Sequence, residues 1–359
     1  MGGKEEILEY IKERATEVDI NINAYLTDRT SVRYLEHLLG RSGYSYDAMA
    51  LEKSIVQPAK YLLDLGGKRW RPVLMLTVID ALGKDSSDYI EFSIIPEIIH
   101  NATLIHDDIE DRSEVRRGSP AVHMKYGIDV ALNLGDFMYY FPMVALIDSK
   151  KVDNAKKIKM LEVYQKEMLR VCIGQAIDIA WHNMLVDPLK VTESEYLQMA
   201  YSKTGVLPNM AAKLGAILGD ADDSMIEVLG KFGATIGVAF QLQDDLLNIT
   251  ESDVASNKGG IGDDITEGKI TLLTIYTIQK AAGQDRNRLI EILGMHTTDR
   301  TLINEAVAIL AKYGAHQYAK DIEEKLVTDA WAEVDRALPE SDAKRKLKML
   351  AEYLIDRSI

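Results

Sequence analysis

Residues 104–120, LIHDDIEDRSEVRRGSP, join an apolar run to a cluster of acids and then to two adjacent arginines. The spacing of the apolar residues predicts a helix, and on a helix positions i and i+4 lie on one face. Asp107 and Asp111 therefore project together, with Asp108 beside them. Because like charges this close repel one another, the cluster costs stability unless a cation lies among the carboxylates. The stretch predicts either a site for hard cations at a helix end or a solvated acidic surface.

The helical pattern continues through nearly the whole chain of 359 residues. Segments such as PVLMLTVIDAL and AKKIKMLEVYQKEMLRVCIGQAIDIAW space their apolar residues at three and four positions, whereas strand-like alternation is scarce. The chain contains only 8 prolines and no low-complexity linker. The sequence predicts a single all-α domain over residues 1–359. Residues 1–50 are expected to form a helical extension, and the informative motifs lie within residues 55–275.

The charge balance limits the kind of partner. The chain has 42 basic and 56 acidic residues and a formal net charge of -14, which argues against a general nucleic-acid binder but allows a local anion site. The single cysteine, Cys172, is predicted to be a buried apolar residue in a reducing compartment. We find no apolar signal core and no uncharged apolar run of roughly 18 residues. We therefore predict a cytoplasmic protein without a transmembrane segment.

A second acidic array follows another apolar helical run. Asp244 and Asp245 stand in FQLQDDLLN, and Gln241 lies one helical turn before Asp245. The glycine-rich stretch NKGGIGDDITEGKIT comes next and carries Lys258 and Lys269. Lysines beside carboxylates in such a stretch suit a loop that closes over a metal-bound phosphate. By itself, the stretch fits a flexible surface loop equally well.

Basic residues stand in three turns where helices begin or break. These are Lys68 and Arg71 in LGGKRWRP, Arg116 and Arg117 in RRGSP, and Lys203 with Thr204 in YSKTG. Amide groups at a helix N-terminus favour an anion, so the first turn predicts a phosphate site, although each turn alone fits a polar surface. His100 lies two helical turns before Asp107, which predicts either a neighbour of the acidic site or a core histidine.

The motifs together favour one kind of chemistry. The chain has no P-loop and no GxGxxG motif, so ATP hydrolysis and dinucleotide binding are not indicated. Carboxylates that hold cations, together with basic turns, call for a ligand of diphosphate size. Mg²⁺ can act as a Lewis acid that draws a diphosphate away from an allylic carbon. An apolar helical cavity can then shield the carbocation that remains.

Six motifs occur in a characteristic order: GGKRWRP, HNATLIHDDIEDRSEVRRGSP, GQAIDI, SKTG, FQLQDDLLN and GDDITEGKITLL. With them the chain resembles the trans-type isoprenyl diphosphate synthases, which are head-to-tail prenyltransferases, and it is most like geranylgeranyl diphosphate synthase. The resemblance implies an all-α bundle of the isoprenoid-synthase type around a central cavity. It also implies a homodimer that condenses isopentenyl diphosphate with dimethylallyl, geranyl or farnesyl diphosphate.

The resemblance further implies site residues and a cofactor. Mg²⁺, about three ions per active site with Mn²⁺ as a substitute, would be held by Asp107, Asp108, Asp111 and Asp244, with Asp245 nearby. Isopentenyl diphosphate would contact Lys68, Arg71, His100 and Arg117. The allylic diphosphate would contact Arg116, Lys203, Thr204, Gln241, Lys258 and Lys269. Gln175 and Asp178 would support them. The chain departs from the family pattern at Asn248, where a third aspartate is usual, and in the lysine spacing around Lys258.

Product length is expected to depend on the residues below the first acidic motif. Ala102 and Thr103 are small where short-chain members of the family carry aromatic residues, and Ile99 lies about 12 Å below Asp107. The next floor would be Tyr139, Tyr140 or Phe141. We expect a C20 product, shortened by Ala102→Phe or Thr103→Phe. The alternatives are a product of C25 or longer, a class I terpene cyclase, a non-catalytic synthase subunit and a helical scaffold protein.

Overall fold

The computed structural model describes residues 3–41, 43–249 and 262–355. Most of these residues lie in helices. The helices are α1 Gly3–Arg29, α2 Val32–Leu39, α3 Ala48–Leu51, α4 Gln57–Asp64, α5 Trp70–Ala81, α6 Ile94–Glu110, α7 Val122–Tyr126, α8 Ile128–Tyr140, α9 Val144–Asp148, α10 Asn154–His182, α11 Glu193–Ala200, α12 Val206–Leu218, α13 Asp223–Asn248, α14 Asp263–Thr266, α15 Leu272–Lys280, α16 Gln284–Gly294, α17 Arg300–Lys312, α18 Ala315–Ala337 and α19 Asp342–Ile355. The predicted all-α fold is confirmed.

Short segments of other geometry connect some of these helices. The π-helical turns are Glu52–Val56 and Tyr201–Gly205, and the 3₁₀ segments are Ser86–Ser93, Phe141–Met143 and Pro188–Lys190. Strands β1 Val115–Arg116 and β2 Ser119–Pro120 form a small antiparallel hairpin, in which Val115 pairs with Pro120 and Arg116 with Ser119. This hairpin carries the RRGSP turn.

Helices α5, α12 and α13 form the centre of the protein. α5 and α12 are buried along almost their whole length, as expected for helices that are apolar on all sides. α13 approaches α12 closely, because a Cβ at Gly233 would lie 2.9 Å from the carbonyl carbon of Pro208. α13 also joins the two hydrophobic cores, one built with α1, α5, α6 and α12 and the other with α11 and α15 to α18.

The first helix is built into the main core. Ile7, Val18 and Ile22 of α1 are at most 2% exposed and belong to that core. Glu6 forms ion pairs with Arg345 and the neighbouring lysine of α19. The first and last helices are thus packed against each other. The single-domain reading stays a prediction.

Two helical stretches, Ile128–Asp148 and Asp223–Asn248, are long and apolar enough to cross a membrane by length and composition alone. Within the fold, 56% and 61% of these apolar windows are buried. Buried core helices of soluble proteins pass the same test, so the two stretches are weak evidence for a membrane span.

Candidate active site

One cavity of about 790 Å³ brings together both acidic arrays and all three basic turns. The predicted residues that line it are Lys68, Arg71, His100, Thr103, Asp107, Asp111, Arg116, Arg117, Tyr139, Gln175, Lys203, Thr204, Gln241, Asp244, Asp245 and Lys269. Lys258 lies outside the described residues. Side chains from seven separate segments of the chain therefore line a single space.

The first acidic array stands at the C-terminal end of α6, with Asp107 and Asp111 both facing the cavity. Asp107 Oδ1 lies 3.0 Å from Lys203 Nζ and accepts a hydrogen bond from Gln175 Nε2 at 3.3 Å. Asp111 Oδ2 lies 3.0 Å from Lys269 Nζ. Burial raises the pKa of Asp107, but the charges of Lys203 and Lys269 outweigh this effect and hold the pKa below its ordinary value. Without a ligand, the lysines therefore neutralise this array.

Asp108 is turned away from the cavity. Its carboxylate is 1% exposed and accepts hydrogen bonds from the Arg116 guanidinium, with Nε at 2.8 Å from Oδ1. Burial raises the pKa of Asp108 to about 6, although Arg116 lowers it. The same guanidinium lies 3.9 Å from Asp107 Oδ2. Asp108 thus fixes Arg116 at the cavity wall.

The second acidic array is held by hydrogen bonds from its own helix and from a neighbouring helix. Asp245 accepts from the Tyr196 hydroxyl at 2.6 Å and from Gln241 Nε2 at 2.8 Å. The Thr204 hydroxyl donates to Gln241 Oε1 at 2.7 Å. Burial raises the pKa of Asp245 to about 6. Asp244 lines the cavity beside them.

Asn248 has a local structural role in the described chain. Its side-chain oxygen accepts a hydrogen bond from the backbone N–H of Asp264 at 3.1 Å, and its backbone oxygen accepts one from Gly262 at 2.8 Å. These bonds hold the first turn of α14 against the end of α13. The residue that replaces the usual third aspartate therefore positions the following segment, which carries Lys269.

Lys203 lies in the π-helical turn Tyr201–Gly205, between two carboxylates. Its Nζ forms ion pairs with Asp107 and with Asp178 of α10. Burial lowers the pKa of Lys203, but the two carboxylates outweigh this effect and raise the pKa above its ordinary value. The ammonium therefore stays charged. The turn is closely packed on α10, because a Cβ at Gly174 would lie 2.5 Å from the carbonyl carbon of Ser202 and 2.9 Å from Lys203 Cα.

Gly174→Ala is expected to displace this turn. Backbone atoms cannot yield to the added methyl group, so we expect a loss of about 1–3 kcal/mol in the free energy of unfolding together with a fall in kcat/KM, because Lys203 lines the cavity. Gly294→Ala is the matched control, since the nearest atom to its Cβ is Met184 Cε at 4.0 Å. Denaturation and steady-state kinetics measure both effects. Wild-type stability in Gly174→Ala would contradict the close packing.

The other basic residues and His100 form a second group that lines the same cavity. Arg71 lies 4.5 Å from the Trp70 ring, and Lys68 Nζ lies 5.0 Å from the Tyr353 ring of α19. Arg117 Nη1 donates to the backbone oxygen of Gly66, and burial lowers the pKa of Arg117 to about 10. His100 faces this cluster. Burial and the nearby arginines lower the pKa of His100 well below its ordinary value, so the ring is neutral.

The residues predicted to control product length separate into two groups. Thr103 and Tyr139 line the cavity, whereas Ile99 and Ala102 are fully buried in the main core. Tyr140 is 71% exposed and does not line the cavity, so its prediction as a floor is wrong for the single chain. Tyr139 and Tyr140 are neighbours on α8, and the helix turns their side chains in different directions.

Cys172 is exposed and lines the cavity, so the prediction of burial is wrong. Cys172 precedes Gln175 by three positions on α10, which places both on one helix face. That face is turned toward the cavity, and the apolar spacing of α10 alone does not distinguish a cavity wall from a core.

Three residues near the site were not identified from the sequence. His106 stacks on Tyr139 with ring centroids 5.1 Å apart and lines the cavity. Its position directly before Asp107 is a signal that could have identified it. Tyr196 contacts Asp245 from a position 49 residues away along the chain, so no local pattern indicates this contact. Glu267 forms an ion pair with Lys269 two positions further on, and this spacing is a local signal that could have identified it.

The comparisons with known proteins agree with this arrangement. A model of the polyprenyl synthetase family matches residues 52–310. The chain belongs to the polyprenyl synthetase family. It is a prenyltransferase of the isoprenyl diphosphate synthase type, as the motif order predicts.

Relatives of this prenyltransferase are found among archaea. A short chain isoprenyl diphosphate synthase of Methanothermobacter thermautotrophicus is 37% identical over 85% of this chain and 91% of the relative. A geranylfarnesyl diphosphate synthase of Natronomonas pharaonis is 34% identical over 84% and 89%. The crystal structure of a geranylgeranyl pyrophosphate synthetase from Pyrococcus horikoshii superposes with a TM-score of 0.83 at 31% identity and covers 99% of both chains.

Members of the family use a divalent metal ion in binding diphosphate, and the residues present fit one. Asp108 Oδ2 and Asp111 Oδ1 are buried oxygens without a hydrogen-bond partner, and oxygen is the ligand that Mg²⁺ prefers. In the described part of the chain, no three His, Cys, Asp or Glu side chains converge closely enough to hold an ion alone. Such an ion therefore needs further ligands, which substrate phosphates and water supply in Mg²⁺ sites.

Proposed function

We propose that this prenyltransferase condenses isopentenyl diphosphate head-to-tail (1'-4) with an allylic diphosphate to make geranylgeranyl diphosphate. The observation that carries the proposal is the single cavity that is lined by both aspartate arrays and by two groups of basic residues. Two basic clusters suit two diphosphates. The space beside Thr103 and Tyr139 suits an apolar tail.

Mg²⁺ is the proposed metal, with about three ions per site and Mn²⁺ as a substitute. Asp107, Asp108, Asp111 and Asp244 would hold it. When bound, the metal supplies Lewis-acid stabilisation of the departing diphosphate. Asp107 and Asp111 reach the cavity directly, whereas the buried Asp108 holds Arg116 in place and would ligate only after its side chain turns.

The basic residues divide into two proposed sets. The allylic diphosphate would be bound by Arg116, Lys203, Thr204, Gln241 and Lys269, together with Lys258. Lys68, Arg71, His100 and Arg117 would bind isopentenyl diphosphate. The preorganised cations stabilise the charge that develops as the allylic C–O bond breaks.

The isopentenyl double bond then attacks the allylic carbon, and a proton is lost. The departing diphosphate, still held by Lys203 and Lys269, is the proposed acceptor of that proton. The cavity wall around Thr103 and Tyr139 shields the carbocation from water.

The product is proposed to be C20. The geranylgeranyl synthetase of Pyrococcus horikoshii has the same fold over nearly the whole chain, and Thr103 leaves space one helical turn below Asp107. The relative named geranylfarnesyl diphosphate synthase marks C25 as the alternative. Both products are longer than farnesyl, which agrees with small residues at positions 102 and 103.

Thr103→Phe is expected to shorten the main product to C15 or C10. The added ring would project into the cavity below Asp107 and stop the tail there. Thr103→Val is the matched control, because it keeps the volume but removes the hydrogen bond from the Thr103 hydroxyl to His100 O at 2.7 Å. Chromatography of dephosphorylated products measures chain length. Unchanged length in Thr103→Phe would contradict this position of the tail.

The exposed faces of α8 and α10 support a homodimer. Ile128 and Leu132 on α8 and Leu169 and Ile173 on α10 are 41–59% exposed, and a second copy would cover these apolar faces. We also propose a cytoplasmic location. Sedimentation at several concentrations tests the dimer.

The reaction is tested by incubating the protein with Mg²⁺, labelled isopentenyl diphosphate and each allylic starter in turn, and by measuring the chain length of the products. We expect elongation of dimethylallyl, geranyl and farnesyl diphosphate to C20. A cyclised hydrocarbon would indicate a terpene cyclase, and no elongation with any starter would indicate a non-catalytic subunit or a scaffold protein. Either result would reject the proposal.

A further inference from the structure

Arg69 connects four parts of the fold at the edge of the cavity. Its Nε donates to Asp19 Oδ1 at 2.7 Å, and its Nη1 donates to Glu97 Oε1 at 2.8 Å. Its two Nη groups also donate to backbone oxygens, Leu63 O at 2.8 Å and Gly66 O at 3.4 Å. The side chain is 3% exposed. The guanidinium is therefore committed to internal partners and is not available to grip a phosphate.

The partners of Arg69 lead directly to the residues proposed for isopentenyl diphosphate. Glu97 stands three positions before His100 on α6 and is itself held by Asn101, whose Nδ2 donates to Glu97 Oε1 at 2.9 Å. The oxygen of Gly66 also accepts from Arg117. The network thus reaches His100, which lies on α6, and Arg117, which lies on the RRGSP hairpin. Both residues are proposed to bind isopentenyl diphosphate.

Arg69 also stands between Lys68 and Arg71 in sequence and directly precedes α5. Its backbone is left-handed, with φ 50° and ψ 23°, a conformation that costs a non-glycine residue energy and persists only when the surroundings impose it. The hydrogen bonds of its guanidinium to Asp19, Glu97 and Leu63 hold the backbone in this conformation. The directions in which Lys68 and Arg71 leave the chain depend on this backbone conformation.

The remaining partner, Asp19, comes from α1, which lies before the family-matched residues 52–310. Its side chain is 47% exposed, so it contributes little buried area. Its partner, the Arg69 guanidinium, is buried, so removal of the Asp19 carboxylate leaves a buried charge with one partner fewer and also costs stability. A positioning role is therefore distinguished from a stabilising one by its effect on substrate binding.

We propose that Asp19 is a positioning residue for the isopentenyl diphosphate pocket and acts through Arg69. This inference rests on the proposed function. It gives the N-terminal helix a role in the reaction: α1 fixes the orientation of a guanidinium that sets the geometry of Lys68, Arg71 and Arg117.

Binding of isopentenyl diphosphate alone, measured by calorimetry without an allylic substrate, tests the proposal. Misplacement by about 1 Å can cost up to a hundredfold in an enzyme site, so we expect Asp19→Asn to weaken binding about tenfold. We expect Asp19→Glu to recover most of the affinity. In the full reaction, Asp19→Asn should raise KM for isopentenyl diphosphate and leave KM for the allylic substrate unchanged.

Arg14→Gln provides the matched control. Arg14 lies on the same helix and forms an ion pair with Asp80 at the opposite end of α5, 3.3 Å away. Both variants remove one ion pair between α1 and the body, but only Asp19 leads to the pocket. We use point variants because α1 carries core residues and its removal would unfold the protein.

The outcomes separate the two proposals. Weakened isopentenyl diphosphate binding in Asp19→Asn, with wild-type binding in Arg14→Gln, supports the positioning role. Equal binding by wild type and Asp19→Asn overturns it and leaves the proposed function intact, as does equal weakening in both variants. If the wild-type protein does not bind isopentenyl diphosphate, the proposed function fails and this inference fails with it.

Discussion

Asp111→Asn is expected to reduce kcat by at least about 10²–10³-fold, the range for removing one preorganised group that stabilises the transition state. Asp111 ends α6, faces the cavity and has one carboxylate oxygen without a partner. Asparagine keeps the size of the side chain but replaces an anionic oxygen by an amide. A divalent ion that Asp111 would share with a diphosphate therefore loses a ligand.

The fold should tolerate this change, because Lys269 retains Glu267 as an ion-pair partner. Glu114→Gln is the matched control, since Glu114 is an exposed acid three positions further along that does not line the cavity. Steady-state kinetics and the rise in melting temperature with Mg²⁺ and inorganic diphosphate measure the two effects. Near-normal turnover in Asp111→Asn would show that Asp111 does not act on the metal.

The sequence predicts those features that depend on local spacing. The positions of Asp107 and Asp111 on one helix face follow from helical geometry, and both side chains line the cavity. The all-α fold and the family follow from apolar periodicity and from the order of motifs. In each case, the informative residues lie within a few positions of one another or in a fixed order.

The features that the sequence does not predict depend on contacts between distant residues. Tyr196 and Asp245 are 49 positions apart, and Arg69 and Asp19 are 50 positions apart. Whether a helix face meets a core or a cavity also depends on its neighbours, which is why Cys172 was wrongly predicted to be buried. Local patterns identify candidate residues, whereas the packing of helices decides their partners.

Lys203→Met is expected to reduce both stability and turnover. Breaking a buried ion pair by removing one partner leaves a carboxylate uncompensated at a cost of roughly 3 kcal/mol, and the Asp178 side chain is 6% exposed. Loss of a preorganised cation from the proposed allylic diphosphate site should lower kcat by about 10²-fold. Chemical denaturation and steady-state kinetics measure the two losses separately.

The double variant Lys203→Met/Asp178→Asn separates these two roles of the lysine. It no longer carries the uncompensated charge at position 178, so we expect most of the stability to return while turnover stays low. Lys213→Met is the matched control, because Lys213 lies 4.0 Å from the buried carboxylate of Glu167 and does not line the cavity. This control should lose stability with kcat unchanged. Recovery of turnover together with stability in the double variant would mean that Lys203 only supports the fold, and binding of the allylic diphosphate would then depend on the remaining cations of the cavity.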